Sequence, residues 1–121
     1  MERLTEQEEK TMMAIWQAGT GFVKDFMIAI PPPKPPYTTL ASTVKNLEKK
    51  GFLESEKLGN TYRYVPLIKA EDYKKRFMKS FVGDYFKNSY KELVAFFAQD
   101  QKISAEELQE IINMIENKKA E

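Results

Sequence analysis

Polar side chains that can bind nucleic acid recur at helical spacing between residues 38 and 49. At about 100° per residue, six of them project within about 60° of one direction: Thr38, Thr39, Ser42, Lys45, Asn46 and Lys49. Hydroxyl and amide groups hydrogen-bond to base edges, and ammonium groups neutralise phosphates, so this strip suits a DNA groove. A solvated helix face is the alternative interpretation, because amphipathic helices normally have a polar outer side.

A short β-ribbon is predicted directly after this helix, which ends at Gly51. The segments FLESEK and TYRYVP are rich in aromatic and β-branched residues, and Leu58, Gly59 and Asn60 between them predict a hairpin turn. We expect the tip, with Lys57, Asn60 and Arg63, to reach the DNA backbone beside the groove. Tyr62 and Tyr64 alternate onto one face and are predicted to cover the core.

Two helices are predicted upstream of the strip. Thr5 and Glu8 have the capping-box spacing at the start of the first helix, in which Met12, Ile15 and Trp16 form a buried stripe. A second, short helix stops at the run Pro31–Pro36, which we interpret as a stiff connector; a protein-binding Pro-rich motif is the alternative. Two helices, a connector, a third helix and a hairpin form a winged helix-turn-helix, whose third helix enters the major groove.

The C-terminal part has a different pattern, with eight of the fifteen aromatic residues between Ala70 and Ala98. We predict one long helix there and a last helix that begins at Ser104 and Glu107. A lone helix cannot bury such a band, so we expect these helices to pair with their copies in a homodimer, although packing on the winged helix as extra core is the alternative. The predicted dimer interface comprises Tyr73, Phe77, Phe81, Tyr85, Phe86, Tyr90, Leu93, Val94, Phe97, Leu108, Ile111, Ile112 and Ile115.

The predicted fold class is therefore mainly α with a small β-hairpin. A winged-helix DNA-binding domain over residues 1–69 precedes a helical dimerisation region over residues 70–121. The net charge is only +1, but eight basic residues face four acidic ones between Lys24 and Lys69, so the positive charge is concentrated around the strip and the hairpin.

Composition excludes several classes of function. The chain has no cysteine and no histidine, which removes disulfides, thiolate catalysis, the commonest general base and the commonest metal ligands. We predict no enzymatic activity, no cofactor, no metal and no small-molecule substrate. The charged N-terminus lacks an apolar leader, and no apolar run approaches about 18 residues, so we expect a cytoplasmic protein.

The segment STVKNLEKKGFLESEKLGNTYRYVPL resembles the penicillinase repressor family of bacterial winged-helix regulators. Its Leu-x-x-Lys-Gly helix end corresponds to Leu47–Gly51, and its aromatic wing closure corresponds to Tyr62–Leu67. Trp16, and the C-terminal Leu93, Val94, Phe97 and Ser104, also fit. The resemblance implies a dimeric repressor that binds palindromic operators, commonly of antibiotic-resistance genes. It also implies derepression through a membrane metallopeptidase sensor that triggers cleavage of the dimerisation region.

Three departures limit what the resemblance carries over. Ala41 and Asn46 stand where family members often have arginines, so an operator sequence does not transfer. The candidate cleavage region has Phe96 and Phe97 where the family has an Asn-Phe pair, which argues against cleavage there. The copper-sensing branch uses cysteines that this chain lacks. A repressor that binds double-stranded DNA is our leading hypothesis; a protein-interaction module and a ligand-responsive regulator are the alternatives.

Overall fold

Three helices open the fold. The structure is a computed structural model that describes the backbone of residues 3–120 and the side chains of residues 3–118, so residues 1, 2 and 121 of the predicted domains lie outside it. Helix α1 spans Glu6–Ala18, α2 spans Val23–Ala29 and α3 spans Tyr37–Lys49. The predicted capping box is confirmed, because the Thr5 hydroxyl accepts from the Glu8 amide at 3.1 Å and the Glu8 carboxylate accepts from the Thr5 amide at 2.8 Å.

These helices enclose one apolar core. Its fully buried apolar side chains come from all three helices, from Phe52 and from the start of β1: Met12, Ile15, Phe26, Leu40, Val44, Leu47, Phe52 and Leu53. Each such side chain stabilises the fold by about 1.5–3 kcal/mol relative to an exposed one. Because Leu40, Val44 and Leu47 must all stay inside, the rotation of α3 about its axis is fixed.

A two-stranded antiparallel hairpin follows α3. Strand β1 spans Leu53–Leu58 and β2 spans Thr61–Pro66, so Leu58 belongs to a strand and the turn is Gly59 and Asn60 alone. The predicted mainly-α fold with a small hairpin is confirmed. Tyr64 is buried as predicted, but the prediction for Tyr62 was wrong, because its side chain is 44% exposed.

Gly21 adds a third, one-residue strand beside the hairpin. Its amide donates to the Tyr64 carbonyl at 3.0 Å, and the Tyr64 amide donates back to the Gly21 carbonyl at 2.7 Å. This antiparallel bridge joins the residues that lead into α2 to β2. The position of α2 relative to the hairpin is therefore set by backbone hydrogen bonds.

An aromatic cluster follows the hairpin. The Trp16 indole donates to the Ile68 carbonyl at 2.8 Å, and its ring lies 5.5 Å from the ring of Tyr73. The Tyr73 hydroxyl donates to a Glu9 carboxylate oxygen at 2.7 Å. Burial and this hydrogen bond raise the pKa of Tyr73 to about 12. Tyr73 also packs on Phe52, so the first turn of the following helix is part of the winged-helix core.

Helix α4 spans Ala70–Phe86, α5 spans Tyr90–Gln99 and α6 spans Ala105–Ala120. The prediction of one long helix from residue 70 to 98 was wrong. Lys87 and Asn88 have φ angles of 52° and 66°, and the Ser89 hydroxyl begins α5 by accepting from the Glu92 amide. Gly83 leaves room for Asn88, since a Cβ atom there would lie 3.0 Å from the side-chain oxygen of Asn88.

The chain divides into two compact units, Met1–Lys74 and Lys75–Glu121, and the division falls within α4. The first unit holds the three helices, the hairpin and the first turn of α4. The second unit holds the rest of α4 with α5 and α6. None of the helices between residues 3 and 120 has the length and apolar character needed to cross a membrane.

Candidate nucleic-acid interface

The outward face of α3 carries all six polar residues of the predicted strip, and every one of them is exposed. Thr38, Thr39 and Ser42 lie in the first half of the helix, and Lys45, Asn46 and Lys49 lie in the second half. None of the six takes part in an ion pair or a side-chain-to-side-chain hydrogen bond among the described residues. Their hydroxyl, amide and ammonium groups are available to an outside partner.

Backbone hydrogen bonds fix where α3 ends. The Phe52 amide donates to the Leu47 carbonyl and the Gly51 amide donates to the Glu48 carbonyl, both at 3.0 Å. Gly51 has a φ of 85°, which a residue with a Cβ adopts only at a cost. This is the Schellman arrangement, and it turns the chain directly from α3 into β1. The strip and the hairpin are therefore held in a fixed mutual position.

The hairpin presents two of its three predicted contact residues freely. Lys57 and Asn60 are exposed on the strand end and the turn. Arg63 is half-buried, and its guanidinium donates to the Glu56 carboxylate at 2.5 Å across the antiparallel register. The charge of Arg63 is balanced by Glu56, so Lys57 is the hairpin cation that has no ion pair among the described residues.

Lys24 is a cation that sequence patterns did not assign to the interface. It shares a cleft of about 420 Å³ with Lys45 of α3 and with Asn60 at the hairpin turn. Tyr37 and Tyr62 also line this cleft. The proximity of Lys24 to the hairpin depends on the Gly21–Tyr64 bridge. This bridge pairs residues 43 positions apart, so no local sequence pattern predicts it. The basic excess between Lys24 and Lys69 was the only hint.

Two other lysines have roles within the fold. Lys50 donates to Glu8 at 2.6 Å, and Lys34 donates to the Met27 carbonyl at 2.5 Å and the Ile28 carbonyl at 3.2 Å at the end of α2. Cations at the last carbonyls of a helix stabilise it. These two ammonium groups are less available to a phosphate than Lys45 or Lys49.

The predicted dimer interface is distributed over both units. Tyr73 lies in the first unit, packed on Trp16 and Phe52. In the second unit, Phe81 contacts Tyr85 and Phe86, and Phe86 contacts Phe96, so part of the aromatic band packs against itself. Many of its large apolar side chains nevertheless stay exposed: Phe77, Tyr85, Tyr90, Val94, Phe97, Ile111, Ile112 and Ile115. Phe81, Phe86, Leu93 and Leu108 are half-buried.

The described residues contain no group of three or more Asp, Glu, His or Cys side chains that could hold a metal ion.

Thr43, on the buried side of α3, donates to the Thr39 carbonyl at 2.9 Å. The candidate cleavage residues Phe96 and Phe97 lie inside α5 and are both exposed.

A three-helix core, a bridged hairpin and an exposed polar third helix define a winged helix-turn-helix protein. The penicillinase repressor family model matches residues 4–117, and the chain belongs to this family.

The chain is also similar to individual repressors. It is 28% identical over 80 residues to the methicillin resistance regulatory protein MecI of Mammaliicoccus sciuri, covering 66% of this chain and 65% of that protein. It is 28% identical over 81 residues to the penicillinase repressor of Bacillus licheniformis, covering 67% and 63%. Identity to the penicillinase repressor of Staphylococcus aureus is 31% over 83 residues, covering 66% of each. The matches span just under two thirds of the length of these relatives.

Proposed function

We propose that this protein is a transcriptional repressor that binds operator DNA as a homodimer. One observation carries the proposal: the six polar side chains of α3 all face outward, beside a hairpin whose position is fixed by the Schellman turn. Membership of the penicillinase repressor family and the repressor names of its relatives support the same function.

The contact residues divide by chemistry. We assign base contacts to Thr38, Thr39, Ser42 and Asn46, because hydroxyl and amide groups hydrogen-bond to base edges. We assign phosphate neutralisation to Lys45, Lys49 and Lys57. From the hairpin turn, Asn60 donates a hydrogen bond to the DNA backbone. Arg63 has a smaller share in phosphate neutralisation than Lys57, because Glu56 already balances its charge.

The second unit supplies the dimer contact in this proposal. Exposed apolar side chains on α4, α5 and α6 form a surface of the kind that a second copy covers. A two-fold axis places two α3 helices in major grooves about 34–36 Å apart, or a multiple of that distance, so the operator should be palindromic.

Derepression through a membrane metallopeptidase sensor rests on the family resemblance alone. The candidate cleavage residues Phe96 and Phe97 lie within the helical span Tyr90–Gln99. A protease needs an extended substrate, so cleavage there requires α5 to unwind locally. Cytoplasmic localisation and a role in antibiotic-resistance regulation are also part of the proposal.

Selection of bound duplexes from a random DNA pool tests this function. We expect a palindrome with two equal half-sites. The logarithm of the binding constant should fall linearly with the logarithm of the salt concentration. The steepness of this line, the salt slope, should decrease by about 0.9 for each phosphate contact that a substitution removes. Lys45→Ala plus Lys49→Ala should weaken binding and flatten the slope. Lys75→Ala plus Lys79→Ala is the matched control, with the same charge change at the same helical spacing on exposed positions of α4.

The proposal fails if no duplex is enriched at low salt. It also fails if the two α3 lysines and the two α4 lysines have equal effects on the salt slope, since the strip would then be an ordinary solvated face.

A protein-interaction module is the second candidate, favoured by one groove. This groove of about 600 Å³ lies between α1 and the proline connector and is lined by Met13, Gln17 and Pro31–Pro33. Met13 is 57% exposed there. If Met13→Glu abolishes binding of a protein partner, and this binding survives substitution of the α3 lysines, then the groove and not the strip is the functional surface.

A further inference from the structure

The cleft that contains Lys24 lies among three segments of the first unit. Its volume is about 420 Å³, and it is bounded by the start of α2, the outer side of α3 and the hairpin turn. Its lining side chains and backbone come from three separate segments of the first unit: Phe22, Val23, Lys24, Tyr37, Ala41, Lys45, Asn60, Thr61, Tyr62 and Tyr64.

The base of the cleft is fixed before any ligand arrives. Val23 and Tyr64 line the cleft and are buried core residues, and the Gly21–Tyr64 hydrogen bonds join the residues before α2 to β2. The Asp25 carboxylate accepts from the Phe22 amide at 2.8 Å, which holds the first residues of α2 in place. A preformed site loses little conformational entropy when it binds.

Charge in the cleft has a single sign. Among the described residues that line it, Lys24 and Lys45 are the charged ones, and both are exposed. The Lys24 ammonium lies 5.9 Å from the centre of the Phe22 ring, a cation–π distance that favours this orientation over free movement in solvent.

The neutral polar groups around the two lysines can donate hydrogen bonds. Tyr37 and Tyr62 are 56% and 44% exposed and bear phenolic hydroxyls, and Asn60 adds an amide. Ammonium, phenol and amide donors are the groups that contact phosphate oxygens in protein–DNA complexes. The donor set therefore matches a phosphate, and no carboxylate among the described lining residues opposes one.

We propose that this cleft seats a backbone phosphate of the DNA strand that flanks the groove occupied by α3, with Lys24 as a contact residue. The inference rests on the proposed DNA-binding function and extends it to residues of α2 and the hairpin. It places the strand between Lys24 and Lys45, with the Tyr62 hydroxyl as an additional donor. The contact reads no sequence, so it contributes equally to all duplexes.

Lys24→Gln tests the seat on duplexes recovered by selection and on an unrelated duplex of the same length. Each phosphate that is no longer neutralised lowers the salt slope by about 0.9, so the slope of a dimer with two clefts should fall by about 1.8. Affinity should fall by the same factor for both duplexes, because a backbone contact is independent of sequence. Lys24→Arg should restore the slope.

Lys10→Gln is the matched control. Lys10 is an exposed lysine of the same unit that lines the groove beside the proline connector instead of the cleft. Replacement of single phosphates by neutral methylphosphonates provides a second, independent readout. At one phosphate in each half-site this replacement should weaken binding by the wild type, whereas binding by Lys24→Gln should weaken no further.

Two outcomes distinguish this inference from the proposed function. If the wild type binds DNA with a steep salt slope and Lys24→Gln matches Lys10→Gln, the phosphate seat is wrong and the repressor function stands. If the wild type binds no duplex at low salt, both are wrong.

Discussion

Glu8 is a charged residue in a place where charge is costly. Its side chain is only 7% exposed, yet its carboxylate accepts from the Lys50 ammonium at 2.6 Å and from the Thr5 amide at 2.8 Å. Lys50 also donates to the Arg3 carbonyl at 3.2 Å. The pair therefore joins the first turn of α1 to the C-terminal end of α3, and removal of one partner would leave the other charge shielded from water and without a counter-ion.

We predict that Glu8→Gln lowers the free energy of unfolding by about 2 kcal/mol near neutral pH. Burial alone would raise the pKa of Glu8, but the hydrogen bonds from Lys50 and Thr5 outweigh it and hold the pKa below the ordinary value of 4.5. A carboxylate with a lowered pKa stabilises the folded state above its unfolded pKa, and this stability is lost as pH falls through the folded pKa. The difference between the proteins should therefore shrink below pH 4.5, as measured by urea unfolding.

Glu6→Gln is the control for this prediction. Glu6 is in the same first turn and pairs with Lys10 at 3.2 Å, but its side chain is 85% exposed. An exposed pair contributes little, so we expect a change below about 0.5 kcal/mol. A Glu8→Gln effect that stays constant from pH 7 to pH 3 would contradict the assigned role of the ion pair.

Short-range spacing at this scale was predictable and long-range pairing was not. The Thr5–Glu8 capping box follows from a separation of three residues. The Glu8–Lys50 contact joins residues 42 positions apart, and only the packing of α1 on α3 determines it. The same holds for Lys24, whose place beside the hairpin depends on tertiary structure.

The hairpin turn is the element on which the proposed backbone contacts depend. It has two residues, and Gly59 takes a φ of 63° while Asn60 does not have a positive φ. This is the pattern of a type II′ turn, which favours glycine at its first central position. Nothing lies within 4 Å of a Cβ atom at Gly59, so a substitution there acts through the backbone angle and not through a clash.

We predict that Gly59→Ala destabilises the protein by about 1–2 kcal/mol, the cost of placing a residue with a Cβ at a positive φ. The hairpin tip should become disordered, and DNA affinity should fall with it. Urea unfolding and a binding titration measure the two effects. Asn60→Ala is the stability control at the neighbouring turn position and should change unfolding by less than about 0.5 kcal/mol. Equal destabilisation by the two substitutions would rule out a backbone origin.

Element order was predictable here, but one boundary was not. The apolar periodicity from Ala70 to Ala98 continues through Lys87 and Asn88, although both residues have the left-handed conformation that ends a helix. The spacing of apolar residues alone cannot detect such a backbone change. Ser89 and Glu92 have the Ser-x-x-Glu spacing of a helix start, and this signal would have placed the break. In such segments a capping pair marks a helix boundary that periodicity alone misses.

At the scale of the whole molecule, the winged helix was predictable and the limit of its core was not. Tyr73 was predicted to lie in the dimer interface, on the basis of its spacing from Phe77 and Phe81. In the structure it packs on Trp16 and Phe52 within the first unit. Helical spacing shows which residues share a face, but it does not show which neighbour covers that face. The dimer contact itself stays a prediction.

We predict that Ile111→Asp plus Ile115→Asp raises the dimer dissociation constant by at least about 100-fold, because burial of unpaired carboxylates at an apolar contact is costly. Both isoleucines are exposed on α6 at a separation of four residues. Sedimentation at several concentrations measures the association, and operator affinity should fall in parallel. The folding of the first unit should be unaffected.

Gln109→Asp plus Asn113→Asp is the matched control, with the same charge added at the same spacing on exposed polar positions of α6. It should leave the dimer intact. If both double variants dissociate equally, the effect is general charge repulsion and α6 does not form the apolar contact.

The aromatic cluster around Trp16 has an optical consequence. Trp16 is the only tryptophan of the chain, and its indole is hydrogen-bonded to Ile68 and packed on Tyr73. Intrinsic tryptophan fluorescence therefore arises from one point, where α1 meets the end of the hairpin segment and the first turn of α4. Water that enters when this junction opens should shift the emission to longer wavelength, so the single tryptophan reports on the contact between α1 and the first turn of α4.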